Sequence, residues 1–373
     1  MPLFLLMGYL AHHAGLTTDI YSTARVWLSR VHGGLAIASV AGCAFFAAAC
    51  GSSLATAAMM GRVAIPEMVR NKYDEGLATG CVAAAGTIGS LIPPSILLII
   101  FGAMTETSIG ALLIGGFIPG ILSALIYMGM IYVRASRNKA LCPPIDVTVN
   151  WRERLVSLKG TWGILTLFLL VIGGIYLGLF TPTEAGGVGA TGAFLLAQFS
   201  GKLNWTNFKD SLSDTVRSTS QIFAIAIGAS LFTKFMGISD LPNVICESIL
   251  TLQIHPMLVV SGLSIVYVFL GMFLDPVGVM LLTLPVVFPV MEGLGYNLIW
   301  FGIIMIKYLE IGLITPPVGL NVYVIKGVVG DSIPLEVIFR GITWFVAMDI
   351  LTLAILIAFP QITLFLPITM MGP

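Results

Sequence analysis

From Gly33 to Met60 the chain runs without a single charged side chain, and it does so again from Leu77 to Thr105. About 20 apolar residues cross a bilayer as a helix. Ile109–Val133 and Thr161–Phe180 read as simple spans. Further apolar stretches cover Ala185–Ser200, Gln221–Thr233, Met257–Leu274, Pro276–Met291, Leu298–Ile325 and Gly341–Leu366. Charged residues make up only 10% of the chain and hydrophobic ones 57%, whereas a soluble domain carries about 25% charge. A surface so poor in charge cannot face water, so the fold expected is all-α and polytopic, set in a lipid bilayer. Most of the 41 glycines and nine of the 19 prolines fall inside the apolar stretches. Helix breakers are tolerated at membrane depth where the freed backbone lines a cavity or is buried in protein. A formal net charge of zero gives no basis for a nucleic-acid partner.

The chain can be laid against itself so that Pro93-Pro94 falls on Pro316-Pro317. The same register, with no gap, pairs Val63 with Val286, Pro66 with Pro289, Met68 with Met291, Tyr73 with Tyr296, Ile88 with Ile311, Gly89 with Gly312 and Leu97 with Leu320. Chance matching of apolar residues does not align prolines and glycines. The repeated pattern is an apolar hairpin, a short polar turn and a long helix broken by Gly and Pro-Pro. Paired broken segments of this kind, in inverted repeats, point to the binding site of a secondary transporter. Proline lacks an amide hydrogen and clashes with the preceding turn, so the helix unwinds there. Unwinding frees carbonyl oxygens for a cation and helix N-termini for an anion.

Each repeat also predicts a re-entrant hairpin. Gly51-Ser52-Ser53 separates two apolar runs, each too short to span comfortably. Asp275-Pro276 holds the matching place in the second copy. A carboxylate among apolar residues at membrane depth is a functional candidate, although Asp275 also suits an N-cap ahead of Pro276. Hydroxyls at Ser52, Ser53, Thr56, Thr87, Ser90 and Ser95 can simply bond the carbonyl one turn back. The tip serines and Thr315 sit at breaks, where that explanation is weaker. Lys307 and Glu310 are spaced for a local ion pair.

Other features have mechanical readings. Thr181-Pro182-Thr183-Glu184 fits a capping box that starts a helix after a turn, beside a role in transport. The segment Arg134–Lys159 has a basic excess, which places it on the cytoplasmic side. Within it, Trp151-Arg152-Glu153-Arg154-Leu155 reads as an interfacial amphipathic helix. A short connection around Lys202–Arg217 is expected on the same side. Met1-Pro2 leads straight into the apolar run Leu3–Leu10, which reads as the second half of a helix. Cys43, Cys50, Cys81, Cys142 and Cys246 include no C-x-x-C pair and read as small buried residues, with no disulfide framework or metal site expected. No G-x-S-x-G, H-E-x-x-H or P-loop pattern is present. His12, His13, His32 and His255 are scattered, so an enzyme is not expected, nor a cofactor.

The segments Gly51–Ala57, Ile65-Pro66-Glu67-Met68, Ala84–Ser95, Phe180–Ala185, Gly271–Pro276 and Gly312–Asn321 resemble, in order, the DctM-type large membrane subunit of TRAP (tripartite ATP-independent periplasmic) transporters. The resemblance implies uptake of a small carboxylate, such as a C4-dicarboxylate, across the bacterial inner membrane by a sodium gradient. It implies two partners: a small four-helix membrane subunit of the DctQ type and a periplasmic solute-binding protein of the DctP type. A stand-alone ion-coupled carrier of organic anions is the alternative. The implied fold is of the elevator type. Its parts would be an N-terminal scaffold remnant (1–32), a first transport repeat (33–110) and scaffold helices (111–256) with the cytoplasmic amphipathic segment 134–160. A second transport repeat (257–333) and a C-terminal helix (334–373) would follow. One implied sodium site draws on Ser52, Ser53, Thr87, Gly89 and Pro93, the other on Asp275, Gly312, Thr315 and Pro316. Ser90, Ser95, Glu310 and Asn321 are candidates for substrate contact. The chain departs from the family in lacking its usual N-terminal helix. It also differs at Tyr308 and Glu310, where Asn and a small residue are common.

Overall fold

The computed structural model describes residues 1–143, 150–252 and 255–371. Asp146, part of the charge pattern above, lies outside them. Among the described residues every regular element is helical. The helices are α1 Pro2–His13, α2 Leu16–Leu28, α3 Gly34–Cys50, α4 Ser53–Arg70, α5 Glu75–Thr87 and α6 Ile96–Thr105. Next come α7 Ile109–Arg137, α8 Trp151–Ser157, α9 Trp162–Tyr176, α10 Pro182–Phe199, α11 Trp205–Ser239 and α12 Leu241–Thr251. The last are α13 Pro256–Gly271, α14 Pro276–Gly293, α15 Leu298–Ile314, α16 Leu320–Val329, α17 Leu335–Ala358 and α18 Gln361–Met371. By length and composition α7, α11, α14 and α17 can each cross a bilayer, and α8 with α9 forms a pair bent by 50°.

The repeat is reproduced helix by helix. In the register that superposes the two Pro-Pro pairs, the bounds of α4 fall on those of α14, and the first residue of α5 falls on that of α15. The N-caps correspond as well: Ser52 with Asp275, and Asp74 with Asn297. The breaks match too. After α5 a tight turn at Ile88–Ser90 leads into non-helical residues up to Ser95. After α15 the chain is open from Thr315 to Gly319. The peptide bonds Pro93–Pro94 and Pro316–Pro317 are both cis.

Each hairpin tip is tied to its own break by one backbone hydrogen bond. Ile96 N–H donates to Gly51 O at 3.2 Å, and Gly319 N–H donates to Met272 O at 3.2 Å. Ile96 and Gly319 are themselves equivalent positions of the repeat. Gly51 has φ +64°, and a Cβ there would stand 2.1 Å from Pro94 O. Only glycine tolerates both the left-handed backbone and that approach. A Cβ on Gly312 would lie 2.6 Å from the Gly271 backbone, so the last turn of α15, just before the second break, presses on its hairpin in the same way.

The two broken helices occupy the centre. α5 is buried from Gly76 to Thr87 and α15 from Trp300 to Ile314. α17 crosses α5 at backbone contact, because a Cβ on Gly341 would sit 1.8 Å from Gly76 O and one on Gly80 2.6 Å from Gly341 C. Small residues four apart let membrane helices approach this closely. α7 covers the first break in a similar manner: a Cβ on Gly116 would lie 2.3 Å from Leu91 O. Pro93 and Pro94 are therefore buried, whereas Pro316 and Pro317 are exposed.

The capping box at Thr181 is formed, with Glu184 N–H donating to Thr181 Oγ1 at 3.3 Å and Thr181 N–H to Glu184 Oε2 at 2.8 Å. The basic segment does contain a short helix, α8, whose Arg154 lies over Trp151 with its carbonyl bonded by Trp27 Nε1. All five cysteines are free thiols. Two expectations fail. Lys202–Arg217 is not a connection: from Trp205 it is the first third of the 35-residue α11. Its polar groups hold α1, through His13 Nε2 to Asp214 at 3.0 Å and Tyr9 OH to Ser218 at 2.7 Å. Nor is the C-terminal part, 334–373, a single helix. α17 starts at Leu335 and ends at Ala358; α18 begins after Pro360, whose missing amide stops the ladder.

Candidate functional site

The tips of the two hairpins meet at a cavity of about 560 Å³, a volume suited to a small organic ligand. Gly51–Leu54 and Asp275–Val277 line it from the two tips. Ser90 and Glu310 line it from the two broken helices. Tyr9 of α1 and Ser218 and Gln221 of α11 complete its polar lining. These last three lie on helices without a motif, so nothing in the sequence pointed to them.

The N-terminal turns of α4 and α14 both reach the cavity, and a carboxylate stands at each. Asp275 caps its own helix, accepting from Val277 N–H at 3.0 Å and Gly278 N–H at 3.4 Å. At α4 the cap is the neutral Ser52, which accepts from Ala55 N–H at 3.5 Å. Here the carboxylate comes from the other repeat: Ser53 Oγ donates to Glu310 Oε1 at 2.7 Å. Ser53 has one hydroxyl hydrogen, so Ser90 is the donor in the hydrogen bond between the two serines. The result is a relay, Ser90 to Ser53 to Glu310. Glu310 is fully buried, and its Oε2 has no partner. Among the described residues no Lys, Arg or His lines the cavity.

The Lys307–Glu310 pair expected from spacing does not form. Lys307 Nζ instead pairs with Asp349 of α17 and bonds Ser123 Oγ of α7 at 3.3 Å. Both members of that pair are buried, 1% and 0% exposed. The two charges thus pair between α15 and α17, with Ser123 of α7 as a further partner of Lys307, and leave Glu310 to the cavity.

The remaining candidates lie behind the tips. Thr87 Oγ1 bonds Ala84 O at 2.7 Å and Thr315 Oγ1 bonds Ile311 O at 2.6 Å, each one turn back. A Cβ on Gly89 would lie 3.2 Å from Ser52 O, so the first break touches the first tip. Pro93 and Pro316 sit in the breaks, and Gly312 in the last turn of α15 just before the second. Ser95 caps α6 through Leu98 N–H at 3.3 Å. Asn321 is buried and donates from Nδ2 to Ala83 O at 3.1 Å, clamping α16 to α5. Ser95 and Asn321 do not line the cavity.

This arrangement can be compared with known proteins. Residues 1–362 match the profile of a family described as "Tripartite ATP-independent periplasmic transporter, DctM component". The chain belongs to the DctM family. This DctM-family chain is 37% identical over 369 residues to the C4-dicarboxylate TRAP transporter large permease protein DctM of Pseudomonas aeruginosa, covering 98% of the chain and 85% of that protein. It is 33% identical to the sialic acid TRAP transporter large permease protein SiaM of Vibrio cholerae, covering 100% of the chain and 86% of that protein. It is 30% identical to the isethionate TRAP transporter permease protein DctMQ of Oleidesulfovibrio alaskensis, covering 98% of the chain but 57% of that protein. The fold is similar to the crystal structure of the Alcanivorax borkumensis YdaH transporter, with a TM-score of 0.65 at 14% identity, covering 96% of this chain and 86% of that one. The DctM-family chain is thus an all-α, multi-pass membrane permease and not an enzyme.

Proposed function

We propose that this DctM-family permease imports a small carboxylate, such as a C4-dicarboxylate or a related organic acid, coupled to a sodium gradient across the bacterial inner membrane. In this reading it works with a small four-helix membrane subunit of the DctQ type and a periplasmic solute-binding protein of the DctP type. Relatives named for C4-dicarboxylate, sialic acid and isethionate support an acidic substrate. The observation that carries sodium coupling is the charge of the cavity, which among the described residues holds two carboxyl groups and no cationic side chain. An anion entering such a site is repelled unless a cation enters with it. Sodium then serves as co-substrate, one ion at Ser52, Ser53, Thr87, Gly89 and Pro93 and one at Asp275, Gly312, Thr315 and Pro316. The tip and break units of residues 33–110 and 257–333 would move together as the transport domain. Residues 1–32, 111–256 and 334–373 would form the scaffold.

The test is uptake into proteoliposomes holding the permease, the small subunit and the binding protein. An inward sodium gradient is expected to drive accumulation without ATP. Uptake unchanged when potassium replaces sodium, or uptake that requires ATP, would overturn the reading.

A further inference from the structure

Resting on the carboxylate-import reading, we propose that Glu310, Ser53 and Ser90 form a subsite for an ammonium group, so that the preferred substrate is a small amino-bearing carboxylate. The oxygen Oε2 of Glu310 is the reason. It lies in a fully buried side chain, has no hydrogen-bond partner, and belongs to a residue lining the cavity. A buried acceptor left unpaired is costly, and more so when it is charged. The neighbouring donors are engaged elsewhere. Ser53 already gives its hydrogen to Oε1, and Ser90 gives its own to Ser53. Lys307, one turn away, is taken by Asp349 and Ser123. The open place at Oε2 therefore suits a donor carried by the ligand.

The chemistry of that donor follows from the lining. Among the described residues, Glu310 and Asp275 put two carboxyl groups into the cavity with no side-chain cation. A hydroxyl on the substrate would satisfy the hydrogen bond but not the charge. An ammonium does both, as a charge-assisted bond. Its own carboxylate remains free for the helix N-terminus of α4, where Ser52 provides only a neutral cap. The two ends of the ligand would then take complementary places on either side of Ser53.

Binding to the purified permease tests this directly with matched pairs that differ by an ammonium group. Succinate is set against aspartate, 2-oxoglutarate against glutamate, and butyrate against 4-aminobutyrate. Ligand-induced shifts of the thermal unfolding midpoint in saturating sodium are the readout. The amino-bearing member of at least one pair is expected to bind at least about tenfold more tightly than its partner, as a charge-assisted bond implies. Glu310→Gln should erase that preference and Glu310→Asp should partly restore it. The ligand-free unfolding midpoint and elution volume of each variant report that it is folded.

Three outcomes overturn the proposal: no amino-bearing member binds, the amine-free members bind as well, or the preference survives in Glu310→Gln. Loss of sodium-induced stabilisation in Glu310→Gln, when the wild type already binds both members of every pair alike, makes Glu310 a sodium ligand and also overturns it. Repeating the titrations in potassium separates this proposal from the coupling reading. A preference that persists with no sodium effect sinks sodium coupling and leaves the ammonium subsite standing.

Discussion

Lys307 shows how a buried charge chooses its partner. Glu310 lies one turn away on the same helix, yet the ammonium turns to Asp349 of α17 and to Ser123 of α7. Removing water from an ion is expensive, and only a close partner with further hydrogen bonds offsets it. Asp349 and Ser123 together supply both, and the ring of Tyr127 lies 6.0 Å from the ammonium. The pair joins α15 to α17, with α7 held through Ser123. Replacing one member leaves the other charge stranded. Lys307→Met or Asp349→Leu is expected to destabilise the permease by about 3–5 kcal/mol. The double variant Lys307→Met/Asp349→Leu should recover most of that loss. A double-mutant cycle on denaturant unfolding measures it; additive losses would show that the pair is not coupled. The sequence made both Lys307 and Glu310 visible as charges in an apolar helix. It could not rank a neighbour at helical spacing against a residue on another span, because that choice depends on how three helices pack.

At the scale of elements, contact between backbones decides the packing. α5 and α17 touch through Gly76, Gly80 and Gly341, with no side chain between them. Gly341→Ala must push the helices apart. Overpacking costs about 1–3 kcal/mol where side chains can yield, and here the neighbour is a carbonyl that cannot. The expected result is a loss at or above the top of that range, read as a lower unfolding midpoint. Gly129→Ala in α7 is the control, since nothing lies within 4 Å of its added methyl, and alanine favours a helix over glycine. Equal midpoints for the two variants would refute the close crossing. The elements most legible in the sequence were those marked by backbone chemistry. Gly51, Pro93-Pro94, Asp275-Pro276 and Pro316-Pro317 stand at or close to the places where helices end or begin. The charges between Lys202 and Arg217 misled for the opposite reason. Charge does not break a helix, and the first third of α11 simply carries its polar groups to α1. Tyr9, Ser218 and Gln221 were not legible at all, because a polar residue on a helix has no mark of the cavity it reaches.

At the scale of the whole molecule, the repeat builds one cavity from two unlike tips. The tips correspond in position, in the place of the cap and in the donor of the bond to the break, but one cap is a neutral serine and the other a carboxylate. Asp275 could hold only its helix, or hold its helix and a cation. The structure gives the first role a definite form in the two amides it accepts. Asparagine caps a helix about as well as aspartate, but it carries no charge. Asp275→Asn should therefore keep the hairpin folded, with an unfolding midpoint near that of the wild type. If the carboxylate also serves as a cation ligand, the same variant should need at least about tenfold more sodium for half-maximal uptake, the scale expected for losing one bond to a charged group. Asp275→Ala removes the cap as well, and should lower the midpoint by about 1 kcal/mol worth of stability in addition to the sodium defect. Sodium titrations of uptake and parallel unfolding curves on the three proteins keep the two roles apart. An asparagine variant with the wild-type sodium requirement would reduce Asp275 to a cap. The charge asymmetry between the tips would then have to act through the substrate alone.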